Sequence, residues 1–124
     1  MKNRPLNVFV YGTLKRGFPL HRYLAGARFL GEARLQGFEM YDLGWYPGIV
    51  PGEGVVYGEV YEVGPGTLAL LDEVEAEGEE YERRWLPVEM EDGRRLEAFV
   101  YVYRKGVRGK RKVPSGRWEK RPSR

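Results

Sequence analysis

The sequence contains no cysteine. Disulfides, thiolate nucleophiles and cysteine-based zinc sites are therefore excluded. Histidine occurs once, at His21, which removes a histidine-based triad and any multi-histidine metal site. No apolar run approaches the roughly 18 residues that span a bilayer as a helix, so no membrane association is expected. The basic opening, Met1-Lys2-Asn3-Arg4-Pro5, is followed by no signal-type hydrophobic stretch, and a cytoplasmic location is the expectation. Helix signals are scarce, and there are no internal repeats.

What is present suits one domain: 124 residues with a 42% apolar share. The net charge of +3 hides a division. Residues 105–124 hold nine cations against one acid, Glu119, for +8, so residues 1–104 carry −5. That last segment has few apolar anchors besides Val107, Val113 and Trp118. It reads as a flexible basic tail on a domain of residues 1–104. Such a tail aids solubility or attracts an acidic partner such as nucleic acid.

Strand signals dominate. Val8 to Tyr11 is a short apolar run of central-strand type. Residues Gly54 to Val63 are rich in Val and Tyr, and two further strands are expected at Phe29–Leu35 and Phe38–Leu43. Glu80–Met90 and Arg94–Tyr103 flank Asp92-Gly93, a hairpin signal, and Pro87 assigns the first of these strands to an edge or a bulge. Gly44 to Gly48 reads as a turn, Leu20–Ala25 as a short helix. The clearest helix runs from Thr67 to about Glu77, after the breaker Gly64-Pro65-Gly66. The class is α+β: a mostly antiparallel sheet, closed into a small barrel, with flanking short helices.

Two features carry chemistry. The first is Gly12-x4-Gly17, which has the glycine spacing of a phosphate loop but continues into Phe18-Pro19 where Lys-Ser/Thr is required. No nucleotide is implied. What remains is a loop whose glycine permits close backbone approach and whose successive N–H groups can cradle negative charge, with the Thr13 hydroxyl beside them. A plain strand-to-loop turn is the alternative. Lys15 and Arg16 supply long-range attraction or are simply solvated.

The second is Glu75. At about 100° per residue with Leu68 at zero, Leu71 falls at about 300° and Glu75 at about 340°, between the two leucines. Glu73, at about 140°, points away, and Asp72, at about 40°, lies at the margin. One carboxylate of an acidic segment thus faces inward at the helix C-terminus. Burial and the negative helix end both raise a carboxyl pKa, which suits a general base and acid. Fraying before Glu75, or a buried pair with Arg83 or Arg84, would give it a structural role. His21 is assigned to packing or the surface. Tyr57, Tyr61, Tyr101 and Tyr103 are assigned to strand faces, and the remaining acids of Glu73–Glu82 to a solvated face. Tyr81, six residues past Glu75, is placed to reach a site at the helix end.

The combination of Val8-Phe9-Val10-Tyr11-Gly12-Thr13-Leu14-Lys15-Arg16-Gly17, Gly58-Glu59-Val60-Tyr61, Leu71-Asp72-Glu73-Val74-Glu75 and Tyr81-Glu82-Arg83 resembles the gamma-glutamylcyclotransferase-like superfamily. The resemblance covers roughly residues 7–103 and is nearest the short gamma-glutamylamine cyclotransferase type. It implies a small β-barrel with flanking helices and a cofactor-independent, metal-free lyase or acyltransferase. The substrate would carry a gamma-glutamyl group on an amine or amino acid, and the products would be 5-oxoproline and the freed amine. It implies that Glu75 is catalytic, and that Tyr11, Gly12, Thr13, Leu14 and Tyr81 bind substrate. A non-catalytic barrel that binds a small acid or a partner is the alternative, as is a nucleic-acid-associated protein acting through the tail.

Overall fold

A computed structural model describes residues 5–119. Strand β1 (Leu6–Val10) is central: it pairs antiparallel with β3 (Pro47–Val63) and parallel with β5 (Arg95–Tyr103). The other partner of β5 is β4 (Tyr81–Met90), which meets β2 (Arg28–Asp42), and β2 pairs with β3 along its length. The ring β3-β1-β5-β4-β2-β3 is a closed five-stranded mixed barrel. A sixth strand, β6 (Arg111–Val113), adds to the free end of the β2 edge. The one long helix, α1 (Pro65–Val74), follows β3, and a 3-10 helix spans Pro19–Leu24. Among the described residues no helix is long and apolar enough to cross a membrane.

Alternation along the strands builds two cores. Phe9 points into the barrel with Leu35, Met40, Ile49, Val56, Val88 and Val100. Val8 and Val10 point the other way, and with Tyr61, Leu68, Leu71, Tyr81 and Tyr101 they form an outer layer beneath α1. Burial of each large side chain stabilises the fold by about 1.5–3 kcal/mol.

The Asp92-Gly93 hairpin forms as expected: Gly93 takes φ 93°, and Met90 N donates to Arg94 O. Pro87 lies where β4 is paired with β5 only, because contact with β2 is confined to Glu89 and Met90. The two strands expected at Phe29–Leu35 and Phe38–Leu43 are one fifteen-residue strand. Its register shifts at Phe29/Gly31 and at Gln36/Phe38, and Gly31 and Gly37 adopt positive φ. These bulges bend β2 around the barrel without ending it. Strand β3 begins at Pro47, seven residues before the expected Gly54, because it follows β2 through the bend.

The expectation of a flexible tail from residue 105 is corrected as far as residue 119. Strand β6 pairs with Met40–Asp42, Tyr57 N donates to Gly116 O, and Trp118 packs into the barrel core at 7% exposure. Gly116 has φ 69° and a Cβ there would overlap the Val55 carbonyl, so this strap needs glycine to lie flat on β3. Its cations are solvent-facing while a single tryptophan anchors it. Residues 120–124 of the expected tail lie outside the described residues.

Candidate active site

Strand β1 ends at Val10, and the four residues after it, Tyr11, Gly12, Thr13 and Leu14, line a cavity of about 100 Å³. Val74 and Glu75 come to the same cavity from the end of α1, Glu80 and Tyr81 from the start of β4, and Tyr101 from β5. Tyr46 and Pro47 enter from the β2–β3 turn. All six residues singled out in the sequence, Tyr11, Gly12, Thr13, Leu14, Glu75 and Tyr81, therefore meet in one place.

The loop spends its carbonyls internally. Gly12 O accepts from Lys15 N, Thr13 O from Leu20 N, and Leu14 O contacts His21 Nδ1 at 3.0 Å. No described loop or turn acceptor takes the amides of Gly12, Thr13 or Leu14. Successive amides at a cavity edge, where a glycine permits close approach, suit an anion. Gly12 needs no special dihedral. It is required by close approach, since a Cβ would stand 2.7 Å from the Pro47 ring. Lys15 and Arg16 are turned elsewhere: Lys15 Nζ donates to Trp118 O at 2.8 Å, and Arg16 pairs with Glu59. His21 has the packing role, with its ring 5.6 Å from that of Tyr61.

Glu75 is the C-cap of α1, which ends at Val74, short of the expected Glu77. The last turn is nonetheless well fixed. Glu75 N still donates to Leu71 O at 2.9 Å, Ala76 N to Glu73 O, and Glu77 N to Asp72 O, with Ala76 left-handed at φ 51°. This paired closure satisfies the final carbonyls and keeps Glu75 on the Leu71 side. Glu73 is exposed and Asp72 half-buried, as the helical wheel requires. Burial first, and then the Glu80 charge, push the Glu75 carboxyl up to about 7. Among the described residues it enters no hydrogen bond or ion pair, and neither Arg83 nor Arg84 holds it.

Tyrosines surround the carboxylate. Tyr81 Oη donates to Pro47 O and Tyr11 Oη to Tyr101 O, each at 2.7 Å. Burial first raises both phenols, so both stay protonated and both hydrogens are committed to these carbonyls. Tyr101 Oη donates to Asp72 Oδ1, and Arg83 Nη1 to Asp72 Oδ2, each at 2.7 Å. Tyr46 Oη donates to Glu80 Oε2 at 2.6 Å, and this bond is the first cause that pushes its phenol up to about 12. Sequence reasoning missed Tyr46, Pro47 and Glu80, and placed Tyr101 only in packing. Tyr46 meets Glu80 across 34 residues, a distance at which periodicity is silent. The one available signal was the aromatic, proline-containing turn Gly44–Gly48.

This barrel has known counterparts. Residues 8–120 match the family described as "Gamma-glutamyl cyclotransferase, AIG2-like". The gamma-glutamylcyclotransferase family protein YtfP of Escherichia coli is 36% identical over 113 residues, covering 91% of this chain and 96% of that one. A solved AIG2-like protein from Mus musculus superposes with a TM-score of 0.78 at 31% identity, covering 98% of this chain and all of the other. Protein PH0828 from Pyrococcus horikoshii gives a TM-score of 0.73 at 38% identity, covering 90% and 88%. The chain belongs to the gamma-glutamylcyclotransferase family, in its AIG2-like branch.

Proposed function

We propose that the protein cleaves a small gamma-glutamyl compound by ring closure, releasing 5-oxoproline and a free amine or amino acid, with Glu75 as general base and then general acid. The observation that carries this reading is the Glu75 carboxylate, part-buried, without a described side-chain partner and pushed up to about 7, in a cavity that the Gly12–Leu14 loop also lines. A group that titrates near neutrality can both take and return a proton.

The substrate's α-nitrogen attacks its own γ-carbonyl carbon. A new C–N bond closes the five-membered ring, and the bond from that carbon to the departing nitrogen breaks. Two protons leave the α-ammonium during this change and two arrive on the departing amine, so none is released overall. Glu75 relays them. The amides of Gly12, Thr13 and Leu14 are suited to the α-carboxylate or to the oxygen that becomes negative during attack. Since both reacting groups belong to one molecule, much of the acceleration is orientation.

The test is release of 5-oxoproline, read by mass spectrometry, from a panel of gamma-glutamyl amines and dipeptides. Wild type and Glu73→Gln should release it, and Glu75→Gln should be slower by about 10^2–10^4-fold. Ligand binding with no release from any member of the panel would leave a non-catalytic binder instead.

A further inference from the structure

We propose that the protein binds single-stranded nucleic acid, without sequence preference, on one fixed face: the basic loop and strand of residues 104–112, with the exposed Trp45 ring beside them as a stacking platform. This activity is separate from ring closure in the cavity and does not depend on it.

The composition of this segment is one-sided. Arg104, Lys105, Arg108, Lys110, Arg111 and Lys112 are six cations in nine residues, with no acid among them. All six are exposed. Lys112 pairs with Glu39 at 3.4 Å, while Lys105, Arg108 and Lys110 enter no ion pair among the described residues. The run is also anchored at both ends. At its start Arg104 N donates to Glu80 O, and the Arg104 guanidinium donates to Gly78 O. In its middle Lys110 N donates to Val107 O. At its end β6 pairs with β2, Arg111 opposite Asp42 and Lys112 opposite Tyr41. A backbone fixed in this way loses less freedom on meeting phosphates than a mobile tail would.

Trp45 stands at the same end of the ribbon. It follows Asp42, the residue opposite Arg111, in the β2–β3 turn. Leu43 N donates to Tyr46 O and Gly44 N to Asp42 Oδ1, so the turn presents the ring in a fixed place. Tyr46 and Pro47 beside it line the cavity, but Trp45 is 86% exposed and enters no hydrogen bond or ring contact among the described residues. The fold makes no use of this indole. Beside a row of cations it supplies what a single strand requires, a π-face for a base and charges for the phosphates next to it. An anionic bilayer fits this face less well. The other large exposed apolar side chains, Phe29 and Leu70, belong to the start of β2 and to α1, so the indole would insert alone. Residues 1–104 carry −5, which a broad anionic plane repels more than a narrow strand does.

The experiment is fluorescence anisotropy of an end-labelled oligothymidylate of about 16 nucleotides, titrated with the full chain at several salt concentrations. Binding should weaken with salt, log K falling against log salt with a slope of about −3 to −4, as contact with about four to six phosphates requires. Lys110→Glu should weaken binding at least about fivefold at about 50 mM salt and flatten that slope. Arg95→Glu makes the same change in net charge on an exposed residue at the far end of β5, and should bind as wild type does. Trp45→Ala should weaken binding by about 5- to 100-fold and leave the slope unchanged, since a stacked base and not a phosphate is lost. Thermal melts of the three variants confirm that each is folded. No binding at about 50 mM salt, equal losses from Arg95→Glu and Lys110→Glu, or full binding by Trp45→Ala overturns the proposal. Binding to vesicles of phosphatidylserine and phosphatidylcholine, with none to the oligonucleotide, overturns it in favour of a membrane surface.

Discussion

Tyr101 donates its hydroxyl to Asp72 Oδ1 across 2.7 Å, tying strand β5 to the last turn of α1, three residues before Glu75. Arg83 holds the other oxygen, and its guanidinium lies 4.6 Å from the centre of the Phe99 ring. Asp72→Ala leaves the buried Tyr101 hydroxyl without its acceptor, which should cost about 1–3 kcal/mol. The helix end that carries Glu75 should loosen with it. Denaturant titration should show the loss, and kcat should fall by more than KM rises. Asp72→Asn, which can still accept from Tyr101, should be milder on both measures. An Asp72→Ala enzyme with unchanged stability and kcat would show that this tie positions nothing.

Glu75 gives a prediction whose sign depends on pH. Its carboxyl moves from an ordinary 4.5 to about 7 on folding, because burial and the Glu80 charge disfavour the anion. The folded state therefore holds this proton more tightly than the unfolded chain. Stability is full below about pH 4.5, declines as pH rises toward 7, and above that is lower by about 3 kcal/mol. Glu75→Gln removes this dependence, so its melting temperature should exceed that of wild type at pH 8 and match it near pH 4. Wild-type kcat/KM should rise through about pH 7 as the base ionises. A melting temperature that falls at pH 8 in Glu75→Gln would contradict the burial cost.

Gly12 has a steric requirement. A branched side chain at that position would overlap the Pro47 ring, whose near atoms lie 2.7 and 2.8 Å from the ideal Cβ. Gly12→Val should lose about 1–3 kcal/mol of stability and most ligand binding, as loop and β2–β3 turn are forced apart. Thermal melts and calorimetric titration with 5-oxoproline would report the two effects. Normal binding by the variant would mean that the loop tolerates displacement and holds nothing.

The strap of residues 114–118 yields the prediction most at odds with composition. Trp118 fills the barrel core, so Trp118→Ala should cost about 3–5 kcal/mol, and truncation after Arg104 should abolish cooperative unfolding. A cooperative transition in the truncated chain would restore the boundary that charge alone suggested.

Local signals in the sequence reached most of the barrel. The Asp92-Gly93 hairpin, the helix after Gly64-Pro65-Gly66 and the inward turn of Glu75 each depend on neighbours within a few residues. What escaped depends on partners far along the chain. The bulge at Gly37 looks like a strand break because glycine interrupts the apolar alternation, and only pairing with β3 shows that the strand continues. Glu80 sits in an acidic run that looks solvated, and its inward role exists only because Tyr46 arrives from the β2–β3 turn. Trp118 lies among cations, and one buried aromatic does not shift an average over twenty residues.

The parallel join between β1 and β5 governs when the cavity can exist. Val8 pairs with Phe99 and Phe9 with Val100, so the strand that presents the Gly12 loop waits for a partner about ninety residues downstream. Chain closure over such a span is slow and entropically costly compared with forming the β2–β3 and β4–β5 hairpins. During synthesis the first strand emerges early and the β2–β3 ribbon can assemble on it. Until the chain has passed Tyr101, the loop has no wall opposite it, and Tyr11 has no carbonyl to take its hydroxyl. Ligand-binding capacity should therefore appear abruptly, and late, as a nascent chain lengthens.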